Sequence, residues 1–220
     1  MELPPRPSTS DPLDDTASIS SHDRILQAAR TLFALQGYEN TTTSMIARKA
    51  GTSESQLIKH FGSKEGLLEA IFDRSWGLME PVARQILERD GTPLDKLRAV
   101  TEMMMVGLER DNDLRSLMLL EGRRIRRHGN LVVLTRGYTL VVGVIDRLLG
   151  EMREAGMLRE GLHLEAVRSA LIGGFEGLLR DQLLAERVGY PARYTSQELR
   201  GAFSALLDGF LRPGARSDDR

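Results

Sequence analysis

Ser53, Glu54, Ser55 and Gln56 stand in an unbroken row of short polar side chains with no apolar residue among them. Hydroxyl and amide groups of this size both donate and accept hydrogen bonds, which is the chemistry that reads base-pair edges in a major groove. Thr42 and Thr43 lie before the row, and Lys59, His60 and Lys64 lie after it. Hydroxyls at helix starts and cations of this kind hold phosphate oxygens, so these five are expected to fix position on a duplex while Ser53 to Gln56 discriminate sequence. Glu54 is the odd member, because an acid repels phosphate unless it accepts from a cytosine amino group.

The elements that position these groups follow from the punctuation around them. Ser53 with Gln56 three residues on is a Ser-x-x-Gln capping box that opens a helix, Gly62 ends it, and Ser63 caps another beginning KEGLLEAIF. Upstream, a threonine hydroxyl in NTTT caps a short helix from Ser44 to Ala50, stopped at Gly51. Ile25, Ala28, Ala29, Leu32 and Phe33 stripe one face of the helix before that, between a Ser20 or Ser21 cap and Gly37. The polar row thus occupies the first turn of a short helix that follows another after a three-residue turn. Further helices are expected at about 64–89, with Pro81 bending or breaking it, at 93–110 under a Thr92 cap, and at 112–127, 130–155, 163–187 and 196–211. With apolar residues recurring at three and four and few alternating β-branched runs, the fold class is all-α.

Composition narrows the function. The 220 residues are 41% hydrophobic and 28% charged, enough for a real core. There is no cysteine, which excludes a disulfide framework, a zinc–thiolate site and a cysteine nucleophile. No stretch has the makeup of a secretion signal or the length of a membrane span, so a cytoplasmic chain used whole is expected. The formal charge of -1 hides an uneven distribution: residues 1–20 carry Glu2, Asp11, Asp14 and Asp15 against Arg6 and are expected to form a disordered tail. From Ser21 to Phe72 six basic residues face five acidic ones, a weak electrostatic footprint that predicts a shallow salt dependence of DNA binding. The four histidines fall in no metal spacing, and no nucleophile elbow or phosphate loop occurs, so neither an enzyme nor a cofactor is expected.

The stretch RILQAARTLFALQGYENTTTSMIARKAGTSESQLIKHFGSKEGLLEAIF resembles the N-terminal DNA-binding domain of TetR-family transcriptional regulators. It carries Gly37, Tyr38, Thr41 and Thr42; then Ile46, Ala47, Ala50, Gly51 and Ser53; then His60, Phe61, Ser63, Lys64 and Glu65, three segments of the family's pattern. The resemblance implies a three-helix DNA-binding domain with a helix-turn-helix at 21–68, a larger helical ligand-binding and dimerisation domain at 69–213 and a flexible C-terminus at 214–220. It also implies a homodimeric repressor on a pseudo-palindromic double-stranded DNA operator, released by a small hydrophobic or acyl-type effector. One departure stands out: Ile58 replaces the tyrosine that the family usually places before the position of Lys59. With Glu54 it supports an alternative, a dimeric small-molecule binding module whose DNA binding is weak or lost.

Soft, adaptable methionines suit a cavity for apolar ligands, so Met103, Met104 and Met118, with Trp76, Met79, Tyr138 and Phe175, are candidate lining residues. Gly173 and Gly177, four apart in SALIGGFEGLL, and the stripe of Leu199, Phe203, Leu206 and Phe210 on the last helix either pack inside one subunit or meet a second. The resemblance selects a dimer interface. Arg123, Arg124, Arg126, Arg127 and His128 form the densest basic run, expected either as a solvated helix end or as the holder of an anionic ligand.

Overall fold

The computed structural model describes residues 20–120, 127–128, 131–132, 136–189 and 193–214. Those residues form nine helices: α1 (Ser21–Gln36), α2 (Thr43–Lys49), α3 (Glu54–Phe61), α4 (Lys64–Glu88), α5 (Pro93–Arg110), α6 (Asn112–Leu120), α7 (Arg136–Glu154), α8 (Leu164–Val188) and α9 (Ser196–Asp208). Two short strands, β1 (Arg127–His128) and β2 (Leu131–Val132), pair antiparallel. The fold class is all-α.

Most helix starts follow the capping expected. Ser20, Thr42, Ser53 and Ser63 accept hydrogen bonds from the amides of Asp23, Met45, Gln56 and Gly66, and Thr92 and Thr195 form reciprocal boxes with Asp95 and Glu198. Each such cap stabilises its helix by about 1 kcal/mol. Two expectations need correction. Of the bend or break expected at Pro81 the break does not occur, since α4 runs through it as one helix. The helices expected at 112–127 and 130–155 do not meet around residue 130: α6 ends at Leu120, α7 begins at Arg136, and the small hairpin lies between.

Two apolar clusters organise the chain. One gathers Ile25, Phe33, Ile46, Leu57, Leu67 and Ile71 from α1 to α4, together with Leu117 from α6. The other gathers Leu97, Leu108, Leu149, Leu171, Phe175 and Phe203 from α5, α7, α8 and α9. Full burial of each large side chain is worth about 1.5–3 kcal/mol. The α4 helix contributes Leu67, Leu68, Ile71 and Phe72 to the first cluster and packs Met79, Ile86 and Leu87 against the second. Residues 1–19 and 215–220, which include most of the expected tail and C-terminal segment, lie outside the described residues.

Candidate nucleic-acid interface and effector cavity

Leu57, with no exposed surface, pins α3 to the first cluster, so the rest of that helix turns outward. Ser53, Glu54, Ser55, Gln56, Ile58, Lys59 and His60 are all exposed. Gly51 (φ 62°) and Gly62 (φ 73°) bracket the helix in the left-handed region that glycine adopts without a Cβ penalty. The preceding turn is held from α1, where Arg24 Nε donates to Ala50 O at 3.1 Å. At the other end α4 approaches α3 so closely that a Cβ on Gly66 would overlap the carbonyl oxygen of Phe61. The sequence reading missed Gly66, although its place one turn into a capped helix, where glycine is unfavourable, was a signal.

Several side chains of the polar face are already engaged. Ser53 Oγ caps its own helix through Gln56 N at 3.2 Å, yet its hydroxyl proton stays available to a second partner. Thr43 donates to the Glu54 carboxylate, which neutralises part of the repulsion that an acid would bring to a phosphate-rich face. His60 Nε2 bonds Ser21 Oγ at 3.0 Å, and His22 packs edge-on against His60 and over Phe61. Thr42 is exposed at the start of α2 and Lys59 in the last turn of α3. Lys64 departs from its expected role. Its ammonium donates to Tyr38 O and Thr41 O, both at 3.0 Å, and lies 4.1 Å from the Tyr38 ring centre, so it ties the α1–α2 loop to α4 instead of reaching outward. Beside it the Tyr38 hydroxyl donates to Glu65 at 2.8 Å and holds that carboxyl below its usual range.

Two neighbouring, partly open cavities of about 90 and about 220 Å³ border the second cluster. Trp76, Met104, Met118, Tyr138 and Phe175 line the first; Trp76, Met79, Met103 and Met104 line the second. Every candidate lining residue therefore meets one cavity or both. The walls are mostly aliphatic and aromatic, with Thr101, Tyr138 and Glu176 bringing polar atoms to the first and Glu80 and Arg84 to the second. Periodicity had not flagged Glu176, Ile172 or Val141, because which face of α7 and α8 borders a void depends on how the helices are set against one another. The side chains of the basic run from Arg123 to His128 lie outside the described residues.

Residues 25–71 match the sequence profile of the bacterial regulatory proteins of the tetR family. The nucleoid occlusion factor SlmA of Vibrio atlanticus (strain LGP32) is 32% identical over 211 residues, which cover 90% of this chain and 98% of that protein. This chain belongs to the tetR family. The fatty acid metabolism regulator protein of Bacillus subtilis (strain 168) is 26% identical over 154 residues, covering 68% of this chain and 77% of its own. Among solved structures, the SmeT–triclosan complex superposes with a TM-score of 0.66 at 26% identity, over 89% of this chain and 93% of SmeT. The fatty acid degradation regulator FadR of Bacillus halodurans has the same fold, with a TM-score of 0.71 over 87% of this chain and 100% of its own.

In this tetR-family chain the two last helices use their surfaces otherwise than the sequence suggested. Leu199 and Phe203, expected at a subunit interface, are 2% and 7% exposed and face their own subunit's core, where Phe203 meets Phe175 edge-on at 5.7 Å. Leu206 and Phe210 pack against the same cluster. Apolar residues of an amphipathic helix face the nearest core, and here that core is internal. Gly174 rather than its neighbours provides the close approach inside the subunit, since a Cβ there would stand 2.5 Å from Leu206 Cδ2. Gly173 and Gly177 point away from α9, with no atom closer than 4.0 Å to a Cβ built on either. Beyond Glu198 the exposed residues of α9 are small as well: Gly201, Ala202, Ser204 and Ala205.

A polar joint between the two clusters had no signature in the sequence. Arg30 of α1 pairs with Asp111, whose carboxylate also accepts from Leu114 N at 3.0 Å and so caps α6. Arg187 of α8 donates to Ser116 Oγ at 2.7 Å and to Ala34 O at 3.4 Å, and Arg115 of α6, almost wholly buried, pairs with Glu186. Arginine on a helix ordinarily signals a solvated face, so only the packing of α6 between α1 and α8 reveals these roles.

Proposed function

We propose that this chain is a homodimeric, effector-responsive repressor that places one α3 helix of each subunit in a major groove of a pseudo-palindromic operator. A two-fold dimer presents two equivalent helices and selects half-sites about one helical turn apart. Ser53, Ser55 and Gln56 are the base readers, with Glu54 selecting cytosine where Thr43 leaves its second oxygen available. Thr42, Thr43, Lys59 and His60 contact phosphates. The single observation that carries this reading is the outward polar first turn of α3, anchored from beneath by Leu57 and set off from its neighbours by the left-handed turns at Gly51 and Gly62. Residues 21–68 serve DNA and 69–213 the effector and the partner subunit, with Gly173, Gly177 and the small-residue face of α9 in the interface. An apolar cavity beside α4 supports a small, largely apolar effector, as does the triclosan that the SmeT structure holds, and the stearoyl-CoA of the B. subtilis FadR structure shows that a related fold also admits a long acyl chain.

Selection from a random duplex pool with the purified chain tests the proposal. A palindromic motif is expected, with Gln56→Ala relaxing preference at one position of each half-site; failure of a folded dimer to enrich any sequence removes DNA recognition. The full-length likeness to SlmA favours a second reading, a DNA-bound factor acting in nucleoid occlusion. Screening apolar compounds for release of the selected duplex separates the two, because only the effector-responsive repressor requires such release.

A further inference from the structure

Trp76 is the only tryptophan of the chain, and its indole rests on a glycine. Gly137 lies buried in the first turn of α7, and a Cβ built on it would fall inside the indole, overlapping Cγ, Cδ1 and Nε1. Those atoms sit at the root of the ring, so no turn of a flexible tip relieves the overlap; the whole side chain or its helix has to move. A contact elsewhere on α4 is softer, because a Cβ on Gly107 would meet only the terminal methyl of Met79, at 2.9 Å. Trp76 lines both cavities, as do Met104 and Val141, and is the largest of the three side chains that the cavities share. It also packs against the N-terminal cluster, one helical turn beyond Phe72, which is 3% exposed there.

We propose that the seat of Trp76 on Gly137 is the movable partition of the effector site. An elongated apolar effector, too long for either cavity alone, is admitted when the indole leaves Gly137, and that departure displaces α4 together with the helix-turn-helix docked on its first turns. The inference rests on the effector-responsive reading above. Because coupling between two sites is reciprocal, DNA that holds α4 in place also holds the indole on its glycine.

Gly137→Ala tests this without any effector, using the full chain and a duplex recovered by selection. The added methyl unseats the indole, so tryptophan emission shifts and DNA affinity falls about tenfold, as coupling of ordinary strength requires. Adding Trp76→Ala in the same background removes the overlap and returns affinity to within about twofold of Trp76→Ala alone, the signature of a direct pairwise clash. A shifted emission with unchanged DNA affinity overturns the proposal. If Gly137→Ala does not fold, the wild-type chain decides: acrylamide quenching of Trp76 is expected to fall on addition of duplex, and unchanged quenching overturns the proposal equally. A wild-type chain that binds no duplex at all refutes the regulator reading instead, and the coupling with it.

Discussion

Replacing Lys64 by methionine separates two roles that the same residue could have played. Its ammonium donates to the carbonyls of Tyr38 and Thr41, both at 3.0 Å, and stands 4.1 Å from the centre of the Tyr38 ring. Hydrogen bonds to a charged group contribute about 1.5–3 kcal/mol and a cation over a tyrosine face about 0.5–1 kcal/mol. Lys64 is half-buried, so water reaches the freed carbonyls and recovers part of that. The expected loss is about 2 kcal/mol, equivalent to about 4–8 °C in Tm for a chain of this length. Urea unfolding followed by circular dichroism measures it. The companion assay is DNA affinity as a function of salt, since losing one phosphate contact from each subunit of a dimer lowers the slope of log K against log salt by about 1.8. An anchor destabilises and leaves the slope alone. Stability within about 0.5 kcal/mol of wild type, together with a slope reduced by about two, would refute the reasoning and return Lys64 to the DNA backbone.

Leu57→Ala empties a fully buried site beneath α3 and is expected to cost about 3 kcal/mol, with duplex binding lost in parallel; a urea midpoint equal to wild type contradicts the anchoring role. The two neighbouring glycines of α8 are expected to behave differently in sedimentation: Gly174→Ala, which meets a Leu206 methyl of its own subunit, leaves the dimer intact, whereas Gly173→Leu, whose site is open, leaves the fold intact and shifts the chain from dimer to monomer. Equal sedimentation of the two variants contradicts the assignment of faces. The Tyr38 hydroxyl holds the Glu65 carboxyl below its ordinary value of 4.5, so the stability it brings is complete above about that pH and is lost as pH falls through the lower folded value. Tyr38→Phe is therefore expected to unfold more readily at neutral pH and to lose less stability on further acidification; parallel acid titrations of the two proteins count against it.

Much of the N-terminal region was legible because its information is local. Ser53, Ser63, Thr92 and Thr195 cap the helices they precede within a turn of chain, and that geometry needs no distant partner. The exposed run from Ser53 to Gln56 likewise follows from one buried residue, Leu57, at a known helical offset. Lys64 misled because its type announces a cation while its partners, Tyr38 O and Thr41 O, are backbone atoms 26 and 23 residues away. The paired strands β1 and β2 were missed because apolar residues recur at helical intervals on both sides of them, and period outweighed every other signal there.

What the sequence determined by itself is therefore the set of helices, most of their caps, the polar first turn of α3 and the amphipathic stripe of each long helix, since these depend on neighbours one turn away. What only the tertiary structure decided is which surface each stripe meets. Leu199 and Phe203 on α9 face their own subunit, Gly174 rather than Gly173 takes the close contact, and Trp76 settles on Gly137, 61 positions along the chain. A helix carries the same periodic face whether it packs within its subunit or against another. The choice belongs to the crossing angles and offsets of whole helices, which side-chain volumes fix only after the chain has collapsed.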